Sequence, residues 1–526
     1  MMRHLMTPVS ILALMAAGAV HAEAPVKTMW GMVSEPSYPA KVCTTLKGDI
    51  VSQAGSIDGF DADGKATHPD HDRIQQAIDA CSDGAVKLTL GDHGEDGFLT
   101  GPLQLKSGVT LWVDKGATLY ASRDPKDYEN GPGDCGIANT EGHKSCRSLI
   151  EGKALKNSGI VGEGRIDGRG GSLLLSGPNA GKRSWWDVAW QSKQGLTQHV
   201  FRLMQLDGGE NLTLYRITFA NSPNFHLVPG SFTGITAWGI KILTPSLVYT
   251  KPGYACPEGT TPDKLTPATC FTPDTVKNTD GFDPANSSNV LLAYSYISTG
   301  DDNVAVKAGK GLVSKNQVYA HNQFYYGHGM SIGSETNGGA ENFLITDLAL
   351  DGMDSPNGNG LRIKSDSTRG GPVANIVFDG VCMRGTHYPM VFDTHYSDKT
   401  GQLYPSFTGI VVRDFHYLSG GKFGGGVLDF RGFKEDGQTL PLDLAFDTVQ
   451  WDGAQPKANG GKGKDAPFAA HFSIAPGAVA WAKPLLLPSP ENDVTVSFVE
   501  TRSSPKLRDC SQAFVSYKSV LADSPI

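Results

Sequence analysis

Short apolar runs that alternate with polar residues recur along the chain, and Gly, Asn, Asp and Ser separate them. Alternation with a period of two predicts strands, and the frequent breaks predict that these strands are short. One run repeats in recognisable form, because it begins with Asn or Gly and continues with mostly apolar residues. Its copies are Asn211–Leu214, Asn289–Leu292, Asn316–Tyr319, Asn342–Ile345, Asn375–Phe378 and Gly409–Val412.

The spacing of these copies predicts a solenoid. From residue 289 the runs begin at 289, 316, 342, 375 and 409, so the intervals are 27, 26, 33 and 34 residues. One coil holds too few apolar residues for a core, but stacked coils pair their backbones at ~4.8 Å and bury a continuous column of side chains. A β-sandwich or propeller is the alternative, and it requires tighter turns than most of these gaps provide. We therefore predict an all-β protein, a single right-handed parallel β-helix.

Several segments depart from the repeat. His71–Ile78 has a helical pattern and predicts a short N-terminal helical cap, whereas the strand Val494–Glu500 and the tail after it predict a C-terminal capping segment. Residues 244–277 are rich in proline and predict an inserted surface loop. The expected organisation is one catalytic domain over residues 23–526, in which residues 456–526 form the C-terminal loop and cap.

Composition and charge narrow the functional class. The chain has 526 residues and 64 glycines, whereas the usual ~7% would give about 37, and so many points of tight turning disfavour a helical fold. The formal net charge is −8, so a global attraction for nucleic acid is absent. Any anionic ligand must then be bound by a local group of cations.

The first residues predict export. Residues 1–22 contain Arg3, a mostly apolar stretch from Pro8 to Ala19 and a small-residue cleavage site at Val20–Ala22, which is the pattern of a signal peptide. The apolar stretch is shorter than the ~20 residues of a membrane span, and no later stretch is long enough. We expect a secreted monomer with no membrane or nucleic-acid partner.

Eight cysteines suit an oxidising compartment, and their even number permits complete pairing. The sequence does not fix the pairs. The candidate pairs are Cys43 with Cys81, Cys135 with Cys146, Cys256 with Cys270, and Cys382 with Cys510. Paired Cys-x-x-Cys units are absent from the sequence, so we expect no zinc site.

Four polar motifs follow the spacing of the coils. They are Asn278-Thr279-Asp280, Gly300-Asp301-Asp302-Asn303, Gly327-His328-Gly329 and Arg362-Ile363-Lys364. The steps from Asp280 to Asp301, His328 and Arg362 are 21, 27 and 34 residues, each about one coil. Stacking at ~4.8 Å per coil would gather three carboxylates, an imidazole and two cations into a patch of roughly 15 Å.

This combination of side chains points to the hydrolysis of an acidic sugar polymer. Carboxylates so close cannot all ionise freely, so at least one is expected to keep its proton and act as an acid. Glycoside hydrolysis needs such an acid together with a carboxylate that activates water. Arg362 and Lys364 alternate on a strand, so they would point to one side and bind an anionic sugar.

These motifs, in this order, resemble glycoside hydrolase family 28, the polygalacturonases, over most of the mature chain. Further motifs resemble the bacterial secreted endopolygalacturonases in particular: Leu99–Leu103, Gly164–Gly168, Ser184–Trp186, Asn221–His226 and Gly329–Ser334. The resemblance implies hydrolysis of the α-1,4-galacturonosidic bonds of polygalacturonate, the de-esterified form of pectin. It implies endo action, inversion at the anomeric carbon and no metal or other cofactor.

The resemblance also implies a role for each residue. Asp301 resembles the general acid, Asp280 and Asp302 resemble the pair that activates water, and His328 resembles the histidine that tunes the acid. Among binding residues, Arg362 and Lys364 resemble the cations that bind the galacturonate carboxylate, Tyr396 a subsite tyrosine, and Asn278 a residue at the border of the cleft.

Three alternatives to this function remain open. An exo-acting polygalacturonase is possible because the insertion at 244–277 precedes Asp280 directly. A pectate lyase is also a β-helix, but its clustered Asp side chains would hold Ca²⁺ and its product would absorb in the ultraviolet. A noncatalytic carbohydrate-binding solenoid would bind polymer without releasing reducing ends.

Overall fold

The computed structural model describes residues 23–141, 146–309, 311–458, 467–475, 485–500 and 507–522. The predicted signal peptide at 1–22 lies outside these residues, as do 459–466 of the predicted C-terminal loop. Each described residue range contains strands or short helices. The N-terminal elements are β1 Val26–Thr28, β2 Gly31–Val33, β3 Val42–Lys47, α1 His71–Ala80, β4 Gly84–Thr89, β5 Gly97–Thr100, β6 Leu103–Gln104, β7 Val109–Val113, β8 Thr118–Ala121, β9 Ile137–Asn139, β10 Ile150–Val161, β11 Arg165–Asp167, α2 Trp185–Trp190 and β12 Thr197–His199.

The middle of the chain consists of strands. They are β13 Met204–Tyr215, β14 Thr218–Ala220, β15 Leu227–Trp238, β16 Lys241–Leu243, β17 Ser288–Ala293, β18 Tyr296–Ser298, β19 Val304–Val306, β20 Ser314–Ala320, β21 Gln323–Phe324, β22 Met330–Gly333, β23 Ala340–Thr346, β24 Ala349–Asp351, β25 Asn359–Lys364, β26 Pro372–Asp379, β27 Cys382–Arg384 and β28 Tyr388–Asp393. The C-terminal elements are β29 Ser406–Leu418, β30 Val427–Arg431, β31 Phe433–Glu435, β32 Gln438–Leu440, β33 Leu442–Trp451, β34 Lys457–Ala458, β35 Ala470–Ile474, β36 Val494–Phe498 and α3 Tyr517–Ala522.

The predicted β-helix is confirmed, because strands one coil apart pair in parallel on three faces. The first sheet runs through β4, β7, the second half of β10, β13 and β15, and then β17, β20, β23, β26, β29, β33, β35 and β36. The second sheet runs through β5, β8, β11, β14, β16, β18, β21, β24, β27 and the end of β29.

The third sheet begins with β6 and the first halves of β10, β13 and β15. Phe282 then bridges β15 to β19, and the sheet continues through β22, β25, β28, β30 and β34. Side chains that point inward from it stack in a column that is at most 1% exposed: Leu227, Phe282, Val304, Met330, Leu361, Met390 and Leu428. This column fixes the register of every coil that carries a polar motif.

The repeated Asn or Gly of the sequence marks a corner of the coil. Asn289, Asn316, Asn342 and Asn375 have φ between 53° and 62°, and Gly409 has φ 62°, so all lie in the left-handed region. Asn and Gly adopt this conformation most readily. The amides also form a ladder, in which Asn342 Nδ2 donates to Asn316 Oδ1 at 3.5 Å and Asn375 Nδ2 donates to Asn342 Oδ1 at 3.3 Å. The need for a left-handed residue at this corner therefore explains why Asn or Gly recurs once per coil in the sequence.

All four candidate disulfides are present. Cys43–Cys81 joins β3 to the residue after α1, and Cys382–Cys510 ties β27 to the C-terminal tail. Cys135–Cys146 and Cys256–Cys270 close loops of the coil. The described residues include no helix of the length and apolarity that a membrane crossing requires.

The segment 244–277 packs along one side of the third sheet. Phe271 and Tyr249 contact the ring of Trp186 in α2, with centroids 5.0 and 5.4 Å away. At its far end, Asn357 donates to Asp274 Oδ1 at 2.9 Å. These contacts hold the segment against α2 and the loop after β24, both of which lead from the second sheet into the third.

The left-handed conformation of the corner residue leads to a prediction about the stability of Asn342 variants. Asn342→Val should lower the free energy of unfolding by about 1–2 kcal/mol more than Asn342→Gly, because a β-branched residue is strained at positive φ whereas glycine is not. Urea denaturation of both variants measures the difference. The control is Glu341→Val, at the exposed neighbouring position of β23, which should change stability little. Equal stability of the two Asn342 variants would contradict this account of the corner.

Candidate active site

The predicted residues meet on the outer face of the third sheet. Phe282, Val304 and Met330 are paired on adjacent coils, and Asp280, Asp302 and His328 each lie two residues before one of them. Backbone hydrogen bonds continue this register, since the Gly281 amide donates to the Asp302 carbonyl at 2.9 Å. The three side chains therefore start from equivalent points on successive coils.

The turn that carries Asp301 and Asp302 is fixed by a buried amide. Asn303 Nδ2 donates to the carbonyl of Tyr326 at 2.9 Å, and Asn303 Oδ1 accepts from the amide of Gly329 at 2.9 Å. A β-carbon at Gly327 would lie 2.7 Å from the Asn303 amide group, which explains the glycine. These bonds hold the turn of His328 against the turn of the two aspartates.

Asp301 contacts the imidazole. Its Oδ1 lies 3.0 Å from His328 Nδ1 and also accepts from the Asp302 amide at 2.9 Å. Burial acts to raise the pKa of Asp301, but the adjacent His328 outweighs it and holds that pKa below its ordinary value. The Asp301 side chain is 15% exposed and that of Asp302 only 1%, so Asp301 is the more accessible of the two.

Asp302 is surrounded by donors. Lys364 Nζ lies 2.6 Å from its Oδ2, and Arg362 Nη1 at 3.4 Å and Ser331 Oγ at 2.8 Å donate to its Oδ1. Burial acts to raise the pKa of Asp302, but Lys364 and Arg362 together hold it below its ordinary value. Asp302 is therefore a carboxylate at mildly acidic and neutral pH.

Asp280 lies deeper and differs from the other two. It is 3% exposed, and its Oδ1 has no hydrogen-bond partner among the described residues. Burial, and then the charge of Asp301, raise the pKa of Asp280 well above its ordinary value. Its backbone carbonyl is held by His226, whose Nδ1 lies 2.9 Å away and whose pKa burial lowers to about 4. The sequence predicted a raised pKa for at least one carboxyl of the cluster. The structure assigns this raised pKa to Asp280, because Asp301 has His328 beside it.

The remaining predicted residues border the same region. The ring of Tyr396 lies 5.4 Å from the guanidinium of Arg362 and 5.2 Å from Lys364 Nζ, so it packs over both cations from the loop after β28. Asn278, with φ 54°, accepts from Gln198 Nε2 at 2.7 Å. Gln198 of β12 was not identified from the sequence, because it belongs to an antiparallel pair outside the repeat.

The charges of the cluster favour a bound anion over a bound metal ion. One ligand atom each of Asp301, Asp302 and His328 lie within 4.8 Å of one another, which is a possible cation site. However, Lys364 and Arg362 already contact Asp302, and their charge opposes a bound cation. The arrangement instead offers one protonated carboxyl, two carboxylates and two cations for a negatively charged substrate.

The position of a cavity and the separation of the carboxyl groups describe the surroundings of the cluster further. A cavity of about 1030 Å³ lies on the outer face of the second sheet, and none of these site residues lines it. The carboxylate cluster lies on the outer face of the third sheet, apart from this cavity. The nearest oxygens of Asp301 and Asp302 are closer than the ~6.5–9.5 Å that usually separates carboxyl groups in inverting glycosidases.

Comparison with known proteins agrees with this geometry. Residues 92–419 match the model of glycosyl hydrolases family 28. The polygalacturonase of Ralstonia nicotianae is 54% identical over 522 residues, which cover 98% of this chain and 97% of that protein. The endo-polygalacturonase of Pectobacterium carotovorum subsp. carotovorum is 40% identical over 385 residues, 73% of this chain and 81% of that protein.

A solved structure is also similar. The polygalacturonase from Erwinia carotovora ssp. carotovora has 35% sequence identity and a TM-score of 0.65, covering 81% of this chain and 96% of that one. The family match covers more than half of the chain and includes all of the polar motifs described above, so fold, motifs and comparisons agree: this chain belongs to glycosyl hydrolases family 28.

Proposed function

We propose that this chain is a secreted polygalacturonase that cleaves the α-1,4-galacturonosidic bonds of polygalacturonate by endo action. The observation that carries this proposal is the cluster of Asp280, Asp301 and Asp302 beside Arg362 and Lys364, which unites an acid, a water-activating carboxylate and an anion site. The polygalacturonases to which the chain is 54% and 40% identical support the same activity.

In this mechanism the substrate's carboxylate binds Arg362 and Lys364, with the Tyr396 ring beside them. Both cations then interact with the substrate as well as with Asp302, so they stabilise the ionised forms of the aspartates less. The added negative charge also favours a proton on the most accessible carboxyl, Asp301. Because the three carboxyls interact strongly, their protonation steps belong to the cluster as a whole, and the bound substrate shifts the proton from Asp280 towards Asp301.

Asp301 then protonates the leaving oxygen, and His328 stabilises the carboxylate that remains. The proton that Asp301 delivers comes from Asp280, which is thereby ionised. Asp302, which is ionised before substrate binds, and Asp280 then accept the proton that the attacking water loses. Water that attacks from the face opposite to the leaving group inverts the anomeric carbon.

Endo action is supported by the position of residues 244–277. The segment contacts α2 and the loop after β24, and both lie on its own side of the third sheet. Tyr396 approaches the cations from the loop after β28, on the opposite side. The insertion thus lies on one side of the carboxylate cluster, and we propose that the polymer binds in a cleft beside it and extends past it in both directions.

Asp301→Asn should lower the release of reducing ends from polygalacturonate by about 10²–10⁴-fold, because the leaving oxygen loses its acid. A trigalacturonosyl α-fluoride needs no acid, so the same variant should hydrolyse it at near the wild-type rate. Asp302→Asn should lose activity on both substrates. The opposite pattern, with Asp280→Asn alone retaining fluoride hydrolysis, would transfer the acid role to Asp280.

Lys364→Met should move the acidic limb of the kcat/KM profile to higher pH by about one unit. The reason is that Lys364 lowers the pKa of Asp302, so its loss raises that pKa and Asp302 becomes protonated earlier as pH falls. Activity measured from pH 3 to 7 shows the shift. Lys315→Met, which removes an exposed cation on the first sheet, serves as the control and should leave the limb in place. An unmoved limb in Lys364→Met would argue against Asp302 as the base.

Digestion of polygalacturonate over time should give mixed oligomers with a rapid loss of viscosity, because an open cleft admits internal bonds. Proton NMR of the first product should show the inverted β-anomer before mutarotation. Monomer or dimer as the sole early product would indicate exo action. An α-anomer appearing first would reject inversion and would suit the short distance between Asp301 and Asp302.

A further inference from the structure

A fourth buried carboxyl, Asp283, lies beside the cluster and has no role in the mechanism above. Phe282 points into the core, so the next residue, Asp283, lies on the outer face of the third sheet. It is 1% exposed, and neither carboxylate oxygen has a hydrogen-bond partner within the described parts of the chain. A buried carboxyl without donors is unusual and calls for an explanation.

The register of the sheet explains the missing donors. One residue beyond the paired Leu227, Phe282 and Val304 are Val228, Asp283 and Ala305, so both coils adjacent to Asp283 present apolar side chains. On the following coils, Ala305 is succeeded by Ser331 and Arg362. Asp283 therefore shares an outward row with the cation that is proposed to bind substrate.

Charges of both signs face Asp283. Lys307 and Arg202 favour its ionised form, whereas Asp301 and Asp302 oppose it, and Asp283 in turn adds to the repulsion felt by Asp280. Lys307 is attracted most strongly by Asp283 and Asp280, and its Nζ also lies 3.7 Å from Glu335 Oε2 and 5.9 Å from the ring of Phe225. Burial dominates this balance and raises the pKa of Asp283 to about 7.

We propose that Asp283 controls the affinity of the cleft for anionic sugar: its neutral form permits binding, and its ionised form repels the substrate. This inference rests on the proposed function, because it assumes a polyanionic substrate over the third sheet. Asp283 acts by its charge and its position, without contact with the reacting atoms. The consequence is a loss of affinity above neutral pH that does not arise from the catalytic carboxyls.

The expected effect can be calculated for one titrating group. If only the neutral form of Asp283 binds, KM rises by up to tenfold per pH unit well above its pKa, and for a pKa of about 7 the rise between pH 7 and 8 is about five- to sixfold. Below pH 6 the group is neutral and KM is independent of it. Asp283→Asn keeps the volume of the side chain and mimics the neutral form at every pH.

The test compares KM and kcat of the wild type and Asp283→Asn on polygalacturonate from pH 5 to 8.5 at constant ionic strength. Wild-type KM should rise about five- to sixfold between pH 7 and 8, and that of Asp283→Asn should change less than about twofold. Asp207→Asn, which removes an exposed carboxyl from the third sheet, should follow the wild type. Identical pH dependence of KM in wild type and Asp283→Asn would overturn the proposal.

A binding measurement separates this proposal from the proposed function. Calorimetry of trigalacturonate binding to Asp301→Asn at pH 7.5, in two buffers with different ionisation enthalpies, should show uptake of about half a proton or more. The double variant Asp301→Asn/Asp283→Asn should show much less. Equal proton uptake by the two would reject the role of Asp283, whereas absence of reducing-end release by the wild type would reject the polygalacturonase function.

Discussion

The parallel register between successive coils is the constraint on which the rest of the structure depends. Inward side chains stack in columns, and a shift of one residue in any coil would turn its core residues outward. Because Phe282, Val304 and Met330 are locked in one column, the residues around them are locked in rows on the outer face. The apolar stacking therefore also fixes the positions of the polar side chains in the cluster.

These rows bring oppositely charged side chains from different coils into contact. Arg362 and Lys364 come from a strand one coil beyond His328, yet both contact Asp302. Their charge keeps Asp302 ionised, whereas burial and neighbouring carboxylates raise the pKa of Asp280 and Asp283, so both keep their protons at mildly acidic pH. One sheet face thus holds carboxyl groups in different protonation states at the same pH, as general acid–base chemistry requires.

Much of the site could be predicted because coil length is visible in the sequence. The Asn residues at the left-handed corner gave the period, and that period brought Asp280, Asp302, His328 and Lys364 to one face. Gln198 and Asp283 were missed for different reasons. Gln198 reaches Asn278 from the antiparallel pair of β9 and β12, which does not follow the repeat. Asp283 gives no signal in sequence, since a carboxyl is unusual only once its burial and its lack of donors are known.

The sequence by itself determined the β-helix, the order of the coils, the cysteine pairs that could form and the membership of the polar cluster, because these follow from period, residue type and chain proximity. The tertiary structure alone decided which carboxyl retains its proton and on which side the segment 244–277 lies. Protonation depends on burial and on distances of a few ångströms to His328, Lys364 and Lys307. The path of the inserted segment depends on contacts with α2 and the loop after β24, which are far apart in the chain and leave no periodic trace in it.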